Sequence, residues 1–306
     1  MIIGIPRALL FFRYHVLWDI FFSQLGCEVL LSPVTNRQIL ADGVNLAIDE
    51  NCLPVKLLLG HINYLKDKAD YILVPRLVTL AKHEESCNKF MGLYDIATNI
   101  FPKTKFIEYS ISERDNETEF TAFLKLGLKI TKNPFKVINA YRRAKKKFEE
   151  DKKDEITKQE TKLKNNKNKL TILLVSHPYV IYDEFVGSPI IKFLEKEKVN
   201  VIHSDIIDSV VARERAKKIS PDLYWTDNKE YIGAIDYYRK KIDGIIYLMA
   251  FPCGPDALVI DLCKKKIKDI PSIVLVVDEL ESGIGLMTRL ESFVDILRVK
   301  KRRNEK

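Results

Sequence analysis

No stretch of the 306-residue sequence approaches the roughly 18–20 consecutive apolar residues that a membrane-spanning helix needs. Met1–Arg7 has no basic segment ahead of its apolar residues and no clear cleavage site, so a cytoplasmic protein of a reducing compartment is expected. Glycine and proline number only 12 each, which excludes a collagen-like chain. The five cysteines are too few, and odd in number, for a secreted disulfide framework, and no two stand in C-x-x-C spacing. The P-loop pattern G-x-x-x-x-G-K-S/T, the metalloprotease pattern H-E-x-x-H and the nucleophile elbow G-x-S-x-G are all missing. Gly283-Ile284-Gly285 is only a fragment of a dinucleotide fingerprint. Any ATP chemistry linked to this protein therefore belongs to another chain.

What is present is a 46% hydrophobic, 30% charged chain, enough apolar matter for two cores. The net charge of +8 is concentrated rather than spread. Arg142–Lys169 carries 12 basic and 6 acidic residues, net +6, and Arg298–Lys306 carries six basic and one acidic, net +5. The remainder is net −3. One segment and one tail thus hold the basicity, there is no nucleic-acid reading motif, and no nucleic-acid partner is expected.

Strand and helix patterns alternate along the chain. Strands are expected at 2–5, 28–31, 71–74 and 105–109. Helices are expected at 11–25 (closed by Gly26), 36–48 (with Asn36 as N-cap), 53–65 (with Pro54 in its first turn) and 117–128. A loop is read from Pro75 to Lys89. From Pro134 to about Lys167 runs a long helical pattern that keeps only Ile156 and Leu163 as apolar residues after Phe148; such a helix bridges domains or projects into water. A second alternation follows, with strands at 170–175, 199–202, 244–250 and 273–277, and helices at 188–196, 209–218, 230–241, 255–266 and 286–298. Near-continuous apolar strands between helices mean parallel sheets covered on both faces. The expected fold is α/β: two open, mostly parallel, Rossmann- or flavodoxin-like domains joined by the charged helix, with boundaries at 1–133, 134–168 and 169–306. Ligands in such folds gather outside the carboxyl ends of the strands.

The cysteines divide into two groups. Cys27 and Cys263 read as small buried hydrophobes. Cys52 (in Asn51-Cys52-Leu53-Pro54), Cys87 (in Ser86-Cys87-Asn88-Lys89) and Cys253 (in Pro252-Cys253-Gly254-Pro255) each stand near a helix N-terminus, where the helix dipole favours a thiolate. A thiolate is what a metal ion or an iron–sulfur cluster requires. From the residues alone, three independent loop thiols remain an open alternative, as does a zinc site completed by His83, four residues before Cys87.

With these loops in view, the sequence resembles the acyl-CoA dehydratase activase-related proteins (the DUF2229 family), relatives of the iron–sulfur subunits of 2-hydroxyacyl-CoA dehydratases. The resemblance is carried by Ile3-Gly4-Ile5-Pro6-Arg7, Asp49-Glu50-Asn51-Cys52-Leu53-Pro54-Val55-Lys56, Val74-Pro75-Arg76 and Cys87-Asn88-Lys89-Phe90-Met91-Gly92. Further on it includes Ser176-His177-Pro178-Tyr179, Phe251-Pro252-Cys253-Gly254-Pro255-Asp256 and Thr288-Arg289-Leu290-Glu291-Ser292. It implies a [4Fe-4S]-type cluster on Cys52, Cys87 and Cys253, with one iron lacking a cysteine and open to Lewis-acid chemistry. It also implies low-potential electrons from a separate ATP-hydrolysing activase, an acyl-CoA substrate, and the role of a dehydratase-like lyase or of a reductase component. The chain departs from the family in being shorter than the dehydratase subunits, and in carrying Asp278-Glu279-Leu280-Glu281-Ser282-Gly283 where a His/Thr-containing stretch is more typical.

Other residues complete the expectations. Arg7 and Arg76, each after a proline at a strand end, are candidates for binding an anionic substrate. His177 and Glu279 are candidate proton-transfer groups, with a structural hydrogen bond as the alternative for His177. Asp183, Glu184 and Asp256 are candidate cleft carboxylates. Tyr224-Trp225 reads as packing. The alternative function is a zinc-binding or metal-free α/β scaffold without redox activity.

Overall fold

The computed structural model describes residues 1–81, 84–166, 169–279 and 283–304. It is an α/β protein in two compact units: residues 1–152 with 224–226, and residues 153–223 with 227–306. Among the described residues no helix is long and apolar enough to cross a membrane.

Unit 1 is built on a parallel sheet of order β2-β1-β3-β5, from β1 (Ile2–Ile5), β2 (Glu28–Leu31), β3 (Tyr71–Leu73) and β5 (Phe106–Ile107). A second parallel pair, β4 (Arg76–Thr79) with β6 (Ser110–Ser112), continues the last two strands. Val74 N–H donates to Ile107 O and Arg76 N–H to Tyr109 O, at 3.0 and 2.9 Å, so pairing carries on across the break. Pro75, which has no N–H to give, stands at that break. The expected loop from Pro75 to Lys89 therefore holds a strand. The helix that follows it, α4 (Asn88–Ile100), begins at Cys87 as expected and extends to Ile100, with Phe90, Leu93 and Ala97 burying one face at helical spacing.

The helices of unit 1 are α1 (Phe11–Leu25), α2 (Arg37–Leu46), α3 (Leu53–Leu65), α4 and α5 (Glu119–Ile130). Gly26 closes α1 in the left-handed conformation, φ 88°, its N–H reaching Phe22 O and Ser23 O. Asn36 caps α2, its Oδ1 accepting from Gln38 N and Ile39 N at 3.0 and 3.1 Å. α2 and α3 touch backbone to backbone. A Cβ on Gly43 would lie 1.9 Å from Lys56 O, and one on Gly60 1.9 Å from Ile39 O. α3, wedged this closely, is buried along nearly its whole length.

Unit 2 repeats the architecture with the order β10-β9-β7-β8, all parallel, from β7 (Thr171–Val175), β8 (Asn200–His203), β9 (Gly244–Ala250) and β10 (Ser272–Val277). Every residue of β7 is buried, as a central strand covered on both faces requires. The remaining helices are α7 (Pro178–Ile181), α8 (Ser188–Lys196), α9 (Ser209–Ala216), α10 (Thr226–Tyr238), α11 (Gly254–Lys266) and α12 (Ile284–Asn304).

The charged helix, α6, runs over Pro134–Asn165. Lys152 is the last residue of one unit in it and Lys153 the first of the other. Val137, Ala140 and Ala144 are buried on its first half. Its second half is anchored by a polar residue the hydrophobic pattern does not reveal. Gln159, 5% exposed, donates to His203 O and Ile206 O at 2.9 and 2.8 Å and accepts from His203 N at 2.9 Å. Leu163, one turn further on, is buried too, and the exposed face carries Lys145–Glu149, Lys146–Glu150 and Lys147–Asp151 pairs at i,i+4.

Candidate metal centre

Arg7, His177, Cys253 and Glu279 stand just past the ends of parallel strands, whereas Cys52 and Cys87 stand at helix starts. In unit 1, β1 leads into Pro6-Arg7, and Arg7 N–H donates to Ser32 Oγ just past β2, at 2.8 Å. Arg7 Nε is buried without a hydrogen-bond partner, its guanidinium lies 5.5 Å from the Phe11 ring centroid, and no carboxylate pairs it among the described residues. Close by, His61 is fully buried, with Nε2 3.1 Å from Thr35 Oγ1. Burial, and then the charge of Arg7, push the His61 pKa down to about 3, so this ring is neutral. Arg76 is placed differently. Its guanidinium reaches Asp95 at 3.0 Å and Glu108 at 3.7 Å, an ion-pair setting within unit 1.

Cys52 and Cys87 both occupy N-cap positions, of α3 and α4 respectively. Lys89 N–H points at Cys87 Sγ, 3.4 Å away, and Lys89 Nζ donates to Asn51 Oδ1 at 2.6 Å, tying the Cys87 loop to the Cys52 loop. One turn into α3, Lys56 is buried, 3% exposed. Both thiols are half-buried, and of the two only Cys87 caps its helix through the sulfur, which the backbone N–H of Lys89 faces. His83 lies outside the described residues, as does the 280–282 stretch that departs from the family pattern.

In unit 2, Cys253 is the N-cap of α11, directly after β9. Asp256, in the first turn of α11, accepts from Asn228 Nδ2 at 2.8 Å, and its Oδ1 lies 3.0 Å from His177 Nε2. Cys253 also hydrogen-bonds to it. Burial alone would push the Asp256 carboxyl up; the charge and hydrogen bond of His177, with the bonds from Asn228 and Cys253, outweigh burial and hold it below the usual carboxylate value. His177 stacks on Tyr179, centroids 4.6 Å apart, and meets the edge of Tyr231 at 4.7 Å. Glu279 stands just past the end of β10, half-buried.

Two expected cleft carboxylates have structural settings. Asp183 Oδ1 accepts from Phe185 N and Val186 N at 2.8 and 3.0 Å, a local turn, and Glu184 faces Lys192 at 3.6 Å. Cys263 is fully buried and its pKa is pushed up to about 12 by burial, so it is an inert thiol. Tyr224 and Trp225 lie in tilted contact, ring centroids 4.5 Å apart, within unit 1, where Glu85 N–H donates to Tyr224 O.

Residues 2–207 match the family model of the CoA enzyme activase uncharacterised domain (DUF2229). The chain belongs to this family. Within the DUF2229 match lie Arg7, Cys52, Arg76, Cys87 and His177; Cys253, Asp256 and Glu279 fall beyond its last matched residue. No curated protein matches the chain. The pairing of His177 with Asp256 was not visible in the sequence, where 79 positions separate them. Nor was the Lys89–Asn51 bond; only the clustering of polar residues around each cysteine hinted at it.

Proposed function

We propose that this DUF2229 protein is a cytoplasmic iron–sulfur redox protein related to 2-hydroxyacyl-CoA dehydratase subunits. In this reading it holds a [4Fe-4S]-type cluster through Cys52, Cys87 and Cys253, and a separate ATP-hydrolysing activase supplies its electrons. The observation that carries the reading is the placement of two cysteines at the N-caps of α3 and α4, in loops joined by Lys89 and Asn51. Cys253 repeats the placement at the N-cap of α11. Thiolate donors beside helix N-termini are the donor set such a cluster requires.

Bound there, the cluster supplies one-electron chemistry and an iron open to an oxygen ligand. The protein's own groups supply the rest. Backbone N–H groups at the ends of α3, α4 and α11 lower the cost of the thiolate charge. The Lys89 ammonium, bonded to Asn51, adds positive charge between the Cys52 and Cys87 loops. Arg7, with a buried Nε lacking an internal partner, takes the anionic part of an acyl-CoA by bidentate contact. Arg76 is a weaker candidate for this, because Asp95 and Glu108 already engage it. His177 and Glu279 are the candidates for moving a proton.

Substitution tests the ligand assignment. Cys52→Ser, Cys87→Ser and Cys253→Ser each abolish or strongly reduce the iron and sulfide of anaerobically purified protein, whereas Cys27→Ser and Cys263→Ser leave them unchanged. Cluster content that survives all three ligand substitutions contradicts the reading, and a colourless protein with stoichiometric zinc favours the alternative, a zinc-binding scaffold without redox activity.

A further inference from the structure

The carboxyl ends of the two central strands of the unit 2 sheet carry an arrangement that does not need the other two cysteines. A ring nitrogen of His177, the sulfur of Cys253 and a carboxylate oxygen of Asp256 all lie within 4.8 Å of one another. Two elements deliver them: His177 is the N-cap of α7 after β7, while Cys253 and Asp256 open α11 after β9. His177 and Asp256 are 6% and 4% exposed.

We propose that His177, Cys253 and Asp256 form a site for a single divalent transition-metal ion of zinc type. Nitrogen, sulfur and oxygen from three side chains are a zinc donor set, whereas magnesium and calcium select oxygen alone. Bond lengths of roughly 2.0–2.3 Å around a tetrahedral ion set its ligand atoms about 3.5 Å apart. The 3.0 Å between His177 Nε2 and Asp256 Oδ1 is close to that edge, and the sulfur lies within a side-chain adjustment of it. Charge also balances. Binding releases the thiol proton and the proton that His177 Nε2 shares with Asp256, and a divalent ion with one thiolate, one carboxylate and a neutral imidazole is a neutral unit, as a buried position requires.

The surroundings hold the ligands as supporting groups of metal sites do. Asn228 fixes the Asp256 carboxylate, and Tyr179 and Tyr231 clamp the imidazole from its face and edge. Three protein ligands leave a fourth position for water or for an oxygen or sulfur of a ligand. The site shares Cys253 with the proposed cluster, so the two occupancies exclude each other there, but the site does not depend on the cluster reading.

Cobalt(II) titration of the reduced, metal-free, full-length Cys52→Ser/Cys87→Ser protein tests it, with zinc displacing the cobalt. The expected result is one cobalt per chain with a sulfur-to-cobalt charge-transfer band. Adding Cys253→Ser removes the band and weakens binding by more than about 100-fold, and Asn228→Ala weakens it by about 10–100-fold with the band retained. X-ray absorption of the zinc-filled double variant, which needs no further substitution, shows one sulfur among nitrogen and oxygen ligands. No cobalt band in the double variant, a band that survives Cys253→Ser, or a zinc ion without a sulfur neighbour overturns the proposal. The iron content of the same double variant, read in parallel, falls only if the cluster reading is correct, so the two ideas fail separately.

Discussion

Two buried histidines give the molecule a sign-definite response to acid. His61 in unit 1 and His203 in unit 2 have pKa values pushed down to about 3 and about 4, burial being the main cause in both. Each is neutral when folded, while the unfolded chain takes up a proton near its ordinary value of 6.5. Stability from each is therefore full above about pH 6.5 and is lost as pH falls from there towards the folded value, at up to about 1.4 kcal/mol per pH unit. Asp256 has its carboxyl held low, so its contribution is lost only further into acid, as pH falls from the ordinary carboxylate value through the folded one. Urea unfolding midpoints at pH 7.5 and pH 5.0 check this: the midpoint falls in acid, and His61→Gln and His203→Gln each flatten the pH dependence. A flat profile in the unmodified protein contradicts the neutral-histidine account. At this scale the sequence was informative about residue type but not about partners. Arg7 and Arg76 look alike as proline-arginine pairs after strands, yet one lies near Asp95 and Glu108 and the other has no carboxylate beside it among the described residues. That difference depends on residues 19 and 32 positions beyond Arg76, beyond the reach of local pattern.

At the scale of elements, α2 and α3 depend on two glycines. A helix-interior glycine replaced by alanine ordinarily gains about 1 kcal/mol. At Gly43 and Gly60 the new methyl meets a carbonyl oxygen at 1.9 Å, and the backbone of the partner helix cannot give way cheaply. Gly60→Ala therefore loses about 1–3 kcal/mol instead, read by chemical denaturation. α6 offers the matching test with a polar anchor. Gln159→Leu removes one acceptor and one donor that satisfy backbone groups of His203 and Ile206, a loss of at least about 2 kcal/mol, while exposed Lys158→Ala changes stability by less than about 0.5 kcal/mol. These elements also show where sequence reading works. Helices 11–25 and 53–65 stand where their caps and apolar spacing put them, because Gly26 and Pro54 mark ends by backbone geometry. For α4 the sequence marks a start near Cys87 but no extent, although Phe90, Leu93 and Ala97 bury a regular face. Gln159 was missed because a buried amide has no hydrophobic signature.

At the scale of the whole molecule, the alternating pattern was sufficient for the α/β class, because strands buried on both faces must be apolar throughout. Both four-stranded sheets are parallel, and Cys253 stands directly beyond the carboxyl end of β9, where such folds gather ligands. Segment boundaries were less legible. α6 is divided at Lys152 and Lys153, and Tyr224–Thr226 belongs with unit 1 although the surrounding chain belongs with unit 2. A short return of this kind is set by backbone bonds such as Thr226 N to Glu85 O, which composition does not encode. Family membership rests on residues 2–207, and the thiol arrangement gives that membership a chemical reading. The most direct test is the iron, sulfide and zinc content of full-length protein purified without oxygen, together with its visible spectrum. The account predicts about four irons and four sulfides per chain with a broad visible absorption. Protein without iron or sulfide after anaerobic purification and cluster reconstitution, whether colourless with zinc or free of metal, would contradict it.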